Sequence, residues 1–107
     1  MGTFKLVQKG TQWHFNLLAG NHEPILHSEV YESKSAAQNG IDSAIKNIQR
    51  DCAFEIKEAK NGDSYFVLKS TNGQVVGQSE MYSSLASCKN GVESVIENAA
   101  DADVVEV

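Results

Sequence analysis

Proline occurs once in the 107 residues, arginine once and tryptophan once. A lone Pro24 rules out a proline-rich linker or a polyproline segment. A lone Arg50 removes the residue best suited to bidentate contact with phosphates and bases. Acidic residues outnumber basic ones, 14 to 9, for a net charge of −5. The nine cations are scattered, which argues against nucleic acid as a general partner. Only two cysteines are present, Cys52 and Cys88, and their spacing fits neither a metal knuckle nor a redox pair. Two free thiols in a reducing compartment are expected. There is no apolar run of membrane-spanning length and no charged-then-apolar leader. Met1-Gly2 lacks the Ser or Thr at position 6 that myristoylation needs, since Leu6 stands there. A cytoplasmic protein is the expectation, with no membrane contact.

What is present is alternation and helical periodicity in a fixed order. Phe4 to Val7 reads as a strand, and Trp13 to Leu18 as a second, with Trp13, Phe15 and Leu17 on one face. A third runs from Ile25 to Glu29, with Pro24 at its start, because proline cannot donate to a ladder. Ser33 is placed to cap a helix, with Ser35 and Gln38 as an alternative capping box. Ala37, Ile41, Ala44, Ile45 and Ile48 form its apolar face.

The order then recurs. Phe54 to Lys57, Tyr65 to Lys69 and Val75 to Glu80 read as strands, separated by the hairpin signals Asn61-Gly62 and Asn72-Gly73. Ser84 caps a second helix with Cys88, Val92, Val95, Ile96 and Ala99 on one face. Val104 to Val107, short and β-branched, closes the chain as a strand.

This recurrence is an internal repeat. Gly40 and Gly91 lie 51 positions apart (91 − 40), and at that offset Phe15/Phe66, Leu17/Leu68, Ser28/Ser79, Glu29/Glu80, Tyr31/Tyr82 and Ser33/Ser84 are identical. The register slips by one at the first hairpin, where Phe4 matches Phe54. Ala53 to Ile56 also matches Val104 to Val107 at the offset of 51. The segment after the first helix is therefore one strand with two duties: it ends repeat one and opens repeat two. The expected unit is three strands, a helix and a strand. Residues 1–107 are expected to form a single domain of two repeats, 1–51 and 52–107, related by a pseudo-twofold. A monomer is expected.

Asn72-Gly73-Gln74-Val75-Val76, Ser79-Glu80-Met81-Tyr82-Ser83-Ser84 and Asn90-Gly91-Val92-Glu93-Ser94-Val95 resemble the YegP-like family of uncharacterised bacterial proteins. The resemblance implies an α+β fold: two tandem β-β-β-α-β repeats in one mostly antiparallel sheet, both helices packed on it, the C-terminal strand of each repeat exchanged into the other. It transfers no catalytic residue, because the family carries no assigned activity. Repeat one departs from the pattern at His22 and Pro24, where repeat two has Gly73 and Val75.

The candidate binding surface is Glu29, Tyr31 and Ser33 with Glu80, Tyr82 and Ser84, at the two strand-to-helix joints. Tyr and Glu could line paired pockets, and a Ser at a helix N-terminus could help hold a small anion. The plainer roles are junction packing for Tyr, solvation for Glu and N-capping for Ser. His14, His22 and His27 have no helical partner at four-residue spacing and no counterpart in repeat two, where Tyr65, Gly73 and Gln78 stand. No catalytic or metal residue and no cofactor is assigned. The expected function is a non-enzymatic binding or structural module that acts through the open sheet face, a sheet edge or the seam between the repeats, with a protein as the partner class. The alternatives are an enzyme or small-anion binder at the Glu/Tyr joints, and a weak single-stranded nucleic-acid binder that uses exposed sheet aromatics.

Overall fold

The computed structural model describes residues 2–50, 53–100 and 102–106. Three strands, β1 (Thr3–Lys9), β2 (Gln12–Leu18) and β3 (Pro24–Ser28), lead into helix α1 (Lys34–Ile48). Strands β4 (Phe54–Glu58), β5 (Ser64–Lys69) and β6 (Val75–Gln78) lead into α2 (Leu85–Ala99), and β7 (Asp103–Glu106) follows. The fold is α+β, with seven strands in the order β4-β5-β6-β3-β2-β1-β7. All neighbours are antiparallel except β1 and β7, which run parallel. Strands β3 and β6 end at Ser28 and Gln78, short of the Glu29 and Glu80 expected from alternation. Cys52 and Val107 lie outside the described residues; Cys88 is a buried free thiol. Among the described residues no helix is long and apolar enough to cross a membrane.

Alternation explains how the sheet buries one face. Phe4, Leu6, Phe15, Leu17, Leu26, Phe66 and Leu68 all point to the helix side and form one cluster with Ala37, Ile41, Ala44, Cys88 and Val95. Both helices lie on this face, and the cluster draws on both repeats. Ile45 and Ile96, expected in the apolar stripes, sit at their margins and stay 37% exposed. Trp13 is partly buried against the core, with the Lys34 amine 5.9 Å from its ring centre.

The pseudo-twofold passes between β3 and β6, where His27 pairs with Gln78. Beside it, Leu26 is fully buried, and its counterpart is Gly77. A Cβ on Gly77 would lie 3.0 Å from Leu26 Cγ and 3.0 Å from the His27 carbonyl oxygen. Leu26 thus fills the space that Gly77 leaves.

Strand β4 has the double duty expected of it. It follows α1, yet it lies in the other half of the sheet beside β5. Strand β7 follows α2 and lies beside β1 of the first half. The turn after β2 keeps its shape despite the change at His22. Ala19 N–H donates to the Glu23 carbonyl at 2.8 Å, as Ser70 N–H does to Gln74 at 2.9 Å. His22 accordingly adopts φ 68°, close to the 84° of Gly73. A β-branched side chain tolerates that region worst. His22→Val is expected to destabilise the fold by about 1–2 kcal/mol, and His22→Asn to leave it nearly unchanged; urea-denaturation midpoints read the difference.

Candidate functional site

Each strand-to-helix joint is built in the same way. Trp13 N–H donates to the Tyr31 carbonyl at 2.8 Å, and Tyr31 N–H donates to the Trp13 carbonyl at 2.7 Å. Ser64 and Tyr82 form the same two-bond bridge. The bridge turns each tyrosine ring under its helix. Tyr31 stacks on Phe15 with ring centres 6.2 Å apart, and Tyr82 stacks on Phe66 at 6.2 Å. Phe4 and Phe54 meet the same phenylalanines edge-on at 5.9 and 5.6 Å.

Above each tyrosine stands the helix glycine. A Cβ on Gly40 would come within 2.6 Å of Tyr31 Cζ and within 3.0 Å of Phe15 Cε2, besides meeting the hydroxyl oxygen. Gly91 stands in the same relation to Tyr82 and Phe66. The group that approaches each of these glycines is therefore a tyrosine ring. Burial, followed by the charge of Glu29, pushes the Tyr31 hydroxyl above its usual pKa. Burial, Cys88 and Glu80 do the same at Tyr82. Neither phenol is tuned toward proton transfer near neutrality.

The serines are occupied as well. Ser33 Oγ accepts from Ala36 N–H at 3.1 Å, and Ser84 Oγ accepts from Ser87 N–H at 3.1 Å, so both are N-caps. Ser28 and Ser79, one step before the glutamates, repair the ladder where their strands end. Each accepts from the backbone N–H of Phe15 or Phe66, at 2.8 and 2.9 Å.

The two glutamates separate. Glu80 reaches across the seam to His27 Nε2, and His27 Nδ1 lies 2.8 Å from Asn16 Oδ1. Glu29 lines a cleft of about 390 Å³ with Tyr31, Asn39, Gly40, Ser43 and Gln74. A polar cleft of about 580 Å³ adjoins it between α1 and the β5–β6 turn. Lys46, Arg50, Asn47 and Asn72 are among its walls. Arg50 is held there by Asn47 Oδ1 at 3.1 Å and the Lys69 carbonyl at 3.0 Å. The six expected residues thus form two joints rather than one site. Glu29 and Tyr31 share a cleft wall. The sheet face away from the helices presents Lys5, Lys57, His14 and His27, with Tyr65 as its one aromatic ring among the described residues.

A sheet edge is among the surfaces expected to act, without an indication of which edge. Strand β1 is covered by β7 and Leu6 is 1% exposed, whereas Ile56 at the matching place on β4 is 37% exposed. Among the described residues no strand lies outside β4. Ala53 accepts from Lys69 N–H, and Ala59 N–H donates to Asp63. By antiparallel alternation Phe54, Ile56 and Glu58 therefore turn their N–H and C=O groups outward. The match between Ala53–Ile56 and Val104–Val107 carried the signal: one strand doing two duties leaves one strand position unfilled.

Comparison with known proteins agrees with this architecture. A family model described as a domain of unknown function (DUF1508) matches twice, over residues 8–54 and 59–106. A UPF0339 protein of Pseudomonas aeruginosa is 59% identical over 87 residues, 81% of this chain and 79% of the relative. The UPF0339 protein YegP of Yersinia pestis is 49% identical over 90 residues, 84% of this chain and 80% of the relative. Among solved structures, a UPF0339 protein of Shewanella oneidensis superposes with a TM-score of 0.91 at 42% identity, covering 98% of this chain and 90% of that one. The protein of unknown function YegP from E. coli superposes equally, with a TM-score of 0.91 at 40% identity, covering 98% and 91%.

Gly40→Ala is expected to cost about 1–3 kcal/mol by overpacking, although alanine favours an isolated helix by about 1 kcal/mol. Tyr31→Ala should recover part of that loss in the double variant, because it removes the ring that the new methyl group meets. Additive losses in a denaturation double-mutant cycle would contradict the ring-and-glycine seat.

Proposed function

The chain belongs to the DUF1508 family, and from that premise we propose that it is a non-enzymatic binding module that acts through the bare edge of β4. The observation that carries this is the asymmetry of the sheet's two ends. One edge is closed by β7, and the other presents three outward pairs of backbone groups beside exposed Ile56. An unpaired edge is a template for strand addition, in which backbone hydrogen bonds supply affinity and alternate side chains supply specificity. The strand also carries Glu55, Lys57 and Glu58, charges that oppose indiscriminate pairing. The serines, tyrosines and glycines of the joints are already engaged in capping and packing, which supports a site elsewhere. A monomer in the reducing cytoplasm fits this reading, and buried free Cys88 supports the compartment.

Panning a random-peptide display library against the full chain tests it. Extended sequences with alternating apolar residues should be enriched on the wild type and lost on Ile56→Pro, which removes one outward N–H from an edge that tolerates proline. Glu58→Pro, farther from the core, controls for unfolding and should also weaken capture. Peptides that bind both variants as they bind the wild type would overturn the reading.

A second reading places a small anion in the polar cleft that adjoins the one beside Tyr31. What supports it is a charge reversal between repeats: Lys46 and Arg50 correspond to Glu97 and Asp101. Titrating inorganic phosphate and citrate into labelled protein should shift the Lys46, Arg50 and Asn72 amides, and Lys46→Glu should abolish the response. Unmoved amides would eliminate this reading.

A further inference from the structure

The pseudo-symmetry describes what the β4 edge accepts. In the first half, Val104 of β7 sits opposite Phe4 and shares a pocket wall with Gln38, Asn39, Ile41 and Asp42 of α1. Two residues on, Glu106 sits opposite Leu6 and pairs with Lys34 at the start of α1. In the second half the same positions are Lys89, Asn90, Val92 and Glu93 on α2, with Phe54 and Ile56 on β4 and Leu85 in place of Lys34. Phe54, Ile56, Lys89, Val92 and Glu93 line a groove of about 350 Å³, and Leu85 is 52% exposed. Val104 thus lines this seat in one half while staying 52% exposed, and in the other half the same floor and helix wall stand with no strand beside them among the described residues.

We propose that this groove binds an extended segment of a partner protein as an eighth strand, parallel to β4. The segment carries a β-branched apolar residue opposite Phe54 and a second apolar residue opposite Ile56. This rests on the edge-binding reading above and adds orientation, register and side-chain chemistry to it. The orientation and register are those of β7 on β1, Phe4 opposite Val104 and Leu6 opposite Glu106. The first residue fills the equivalent of the Val104 seat, against Val92 and the stem of Lys89. The second differs from the internal precedent for a physical reason. Glu106 has Lys34 to pair with, whereas the matching position on α2 is Leu85, which offers a carboxylate no charge and an apolar side chain a contact. An apolar side chain there buries Leu85 and Ile56 together.

The same mismatch argues against β7 of a second copy as the occupant. Its sequence, Val104-Val105-Glu106, brings the carboxylate to Leu85, and leaving β1 would forfeit the Lys34 pair. The position is therefore complementary to a segment of apolar-x-apolar pattern from another protein.

Two blocked peptides test the assignment: Ala-Asp-Val-Val-Glu-Val, copied from the chain's own end, and Ala-Asp-Val-Val-Leu-Val. Each is titrated into the isotopically labelled full chain and followed by amide shifts. The leucine peptide should move the amides of Phe54, Ile56, Glu58 and the first two turns of α2, and bind about tenfold more tightly than the glutamate peptide. Leu85→Lys, which copies the first half, should reverse that order. Binding at β4 without discrimination between the peptides, or without reversal in the variant, would overturn the proposed chemistry and leave edge binding standing. Shifts at Thr3–Leu6 and Lys34, from a peptide displacing β7, would overturn the site. Concentration-dependent shifts along β4 without peptide would make a second copy the occupant and also overturn it. Absence of any response to the leucine peptide would defeat this inference, while the library selection judges the edge-binding reading by itself.

Discussion

The fold depends on a tyrosine ring wedged between a sheet and a helix that has no side chain at that point. Tyr31 against Gly40 and Tyr82 against Gly91 set how closely each helix lies over the sheet. The wedge works because both sides of it are fixed. The two-bond bridge to Trp13 or Ser64 holds the tyrosine backbone, and the stack on Phe15 or Phe66 holds its ring. Glycine in a helix interior is unfavourable by about 1 kcal/mol relative to alanine. Here that penalty is offset by the burial of an aromatic face, an exchange made once in each repeat. The serine caps then start both helices at the same distance from the wedge.

Repetition in this chain therefore marks architecture. Apart from Glu29 and Glu80, the residues identical between the copies at the joints are the ones the joints consume: serine in caps and ladder repair, tyrosine in the stack, glycine in the seat. Chemistry that distinguishes the molecule lies where the copies differ. Lys34 faces Glu106 while Leu85 faces solvent, and Lys46 lines a cleft while Glu97 holds the matching place. A duplicated fold supplies each such difference with its own control, because the same backbone environment occurs twice with two sets of side chains.

Much of this was legible in the sequence because short-range rules govern it. Ser33 and Ser84 mark the helix starts, Asn61-Gly62 and Asn72-Gly73 mark turns, and period-two alternation marks the inward phenylalanines. The double duty of β4 followed from matching Ala53–Ile56 to Val104–Val107, and the exchange of end strands was implied by the family resemblance. What stayed hidden depends on positions far apart in the chain. The His27–Glu80 pair spans 53 residues and crosses the seam, so neither repeat alone implies it. The tyrosine ring that meets Gly40 lies nine positions before it on another element, so the helix sequence alone does not imply it. Ile45 and Ile96 obey the helical period, yet how far a stripe is covered depends on the width of what it packs against. Which sheet edge stays open was hidden for the simplest reason: periodicity describes strands that exist, and an unfilled strand position has no sequence of its own.

Leu26 and Gly77 bear on the history of the duplication. A symmetric pair of identical repeats would bring leucine to both sides of the axis, where the two would collide, or glycine to both, leaving a void. The present seam accepts neither arrangement, because one half supplies the volume and the other yields it. Whatever ancestor had two equal halves met itself through different side chains here. Once one copy took the leucine and the other gave up its side chain, neither could revert alone, and neither could again serve as its own mate. Holding both halves in one chain lets the seam keep two different side chains in register, a pairing that two identical halves could not supply.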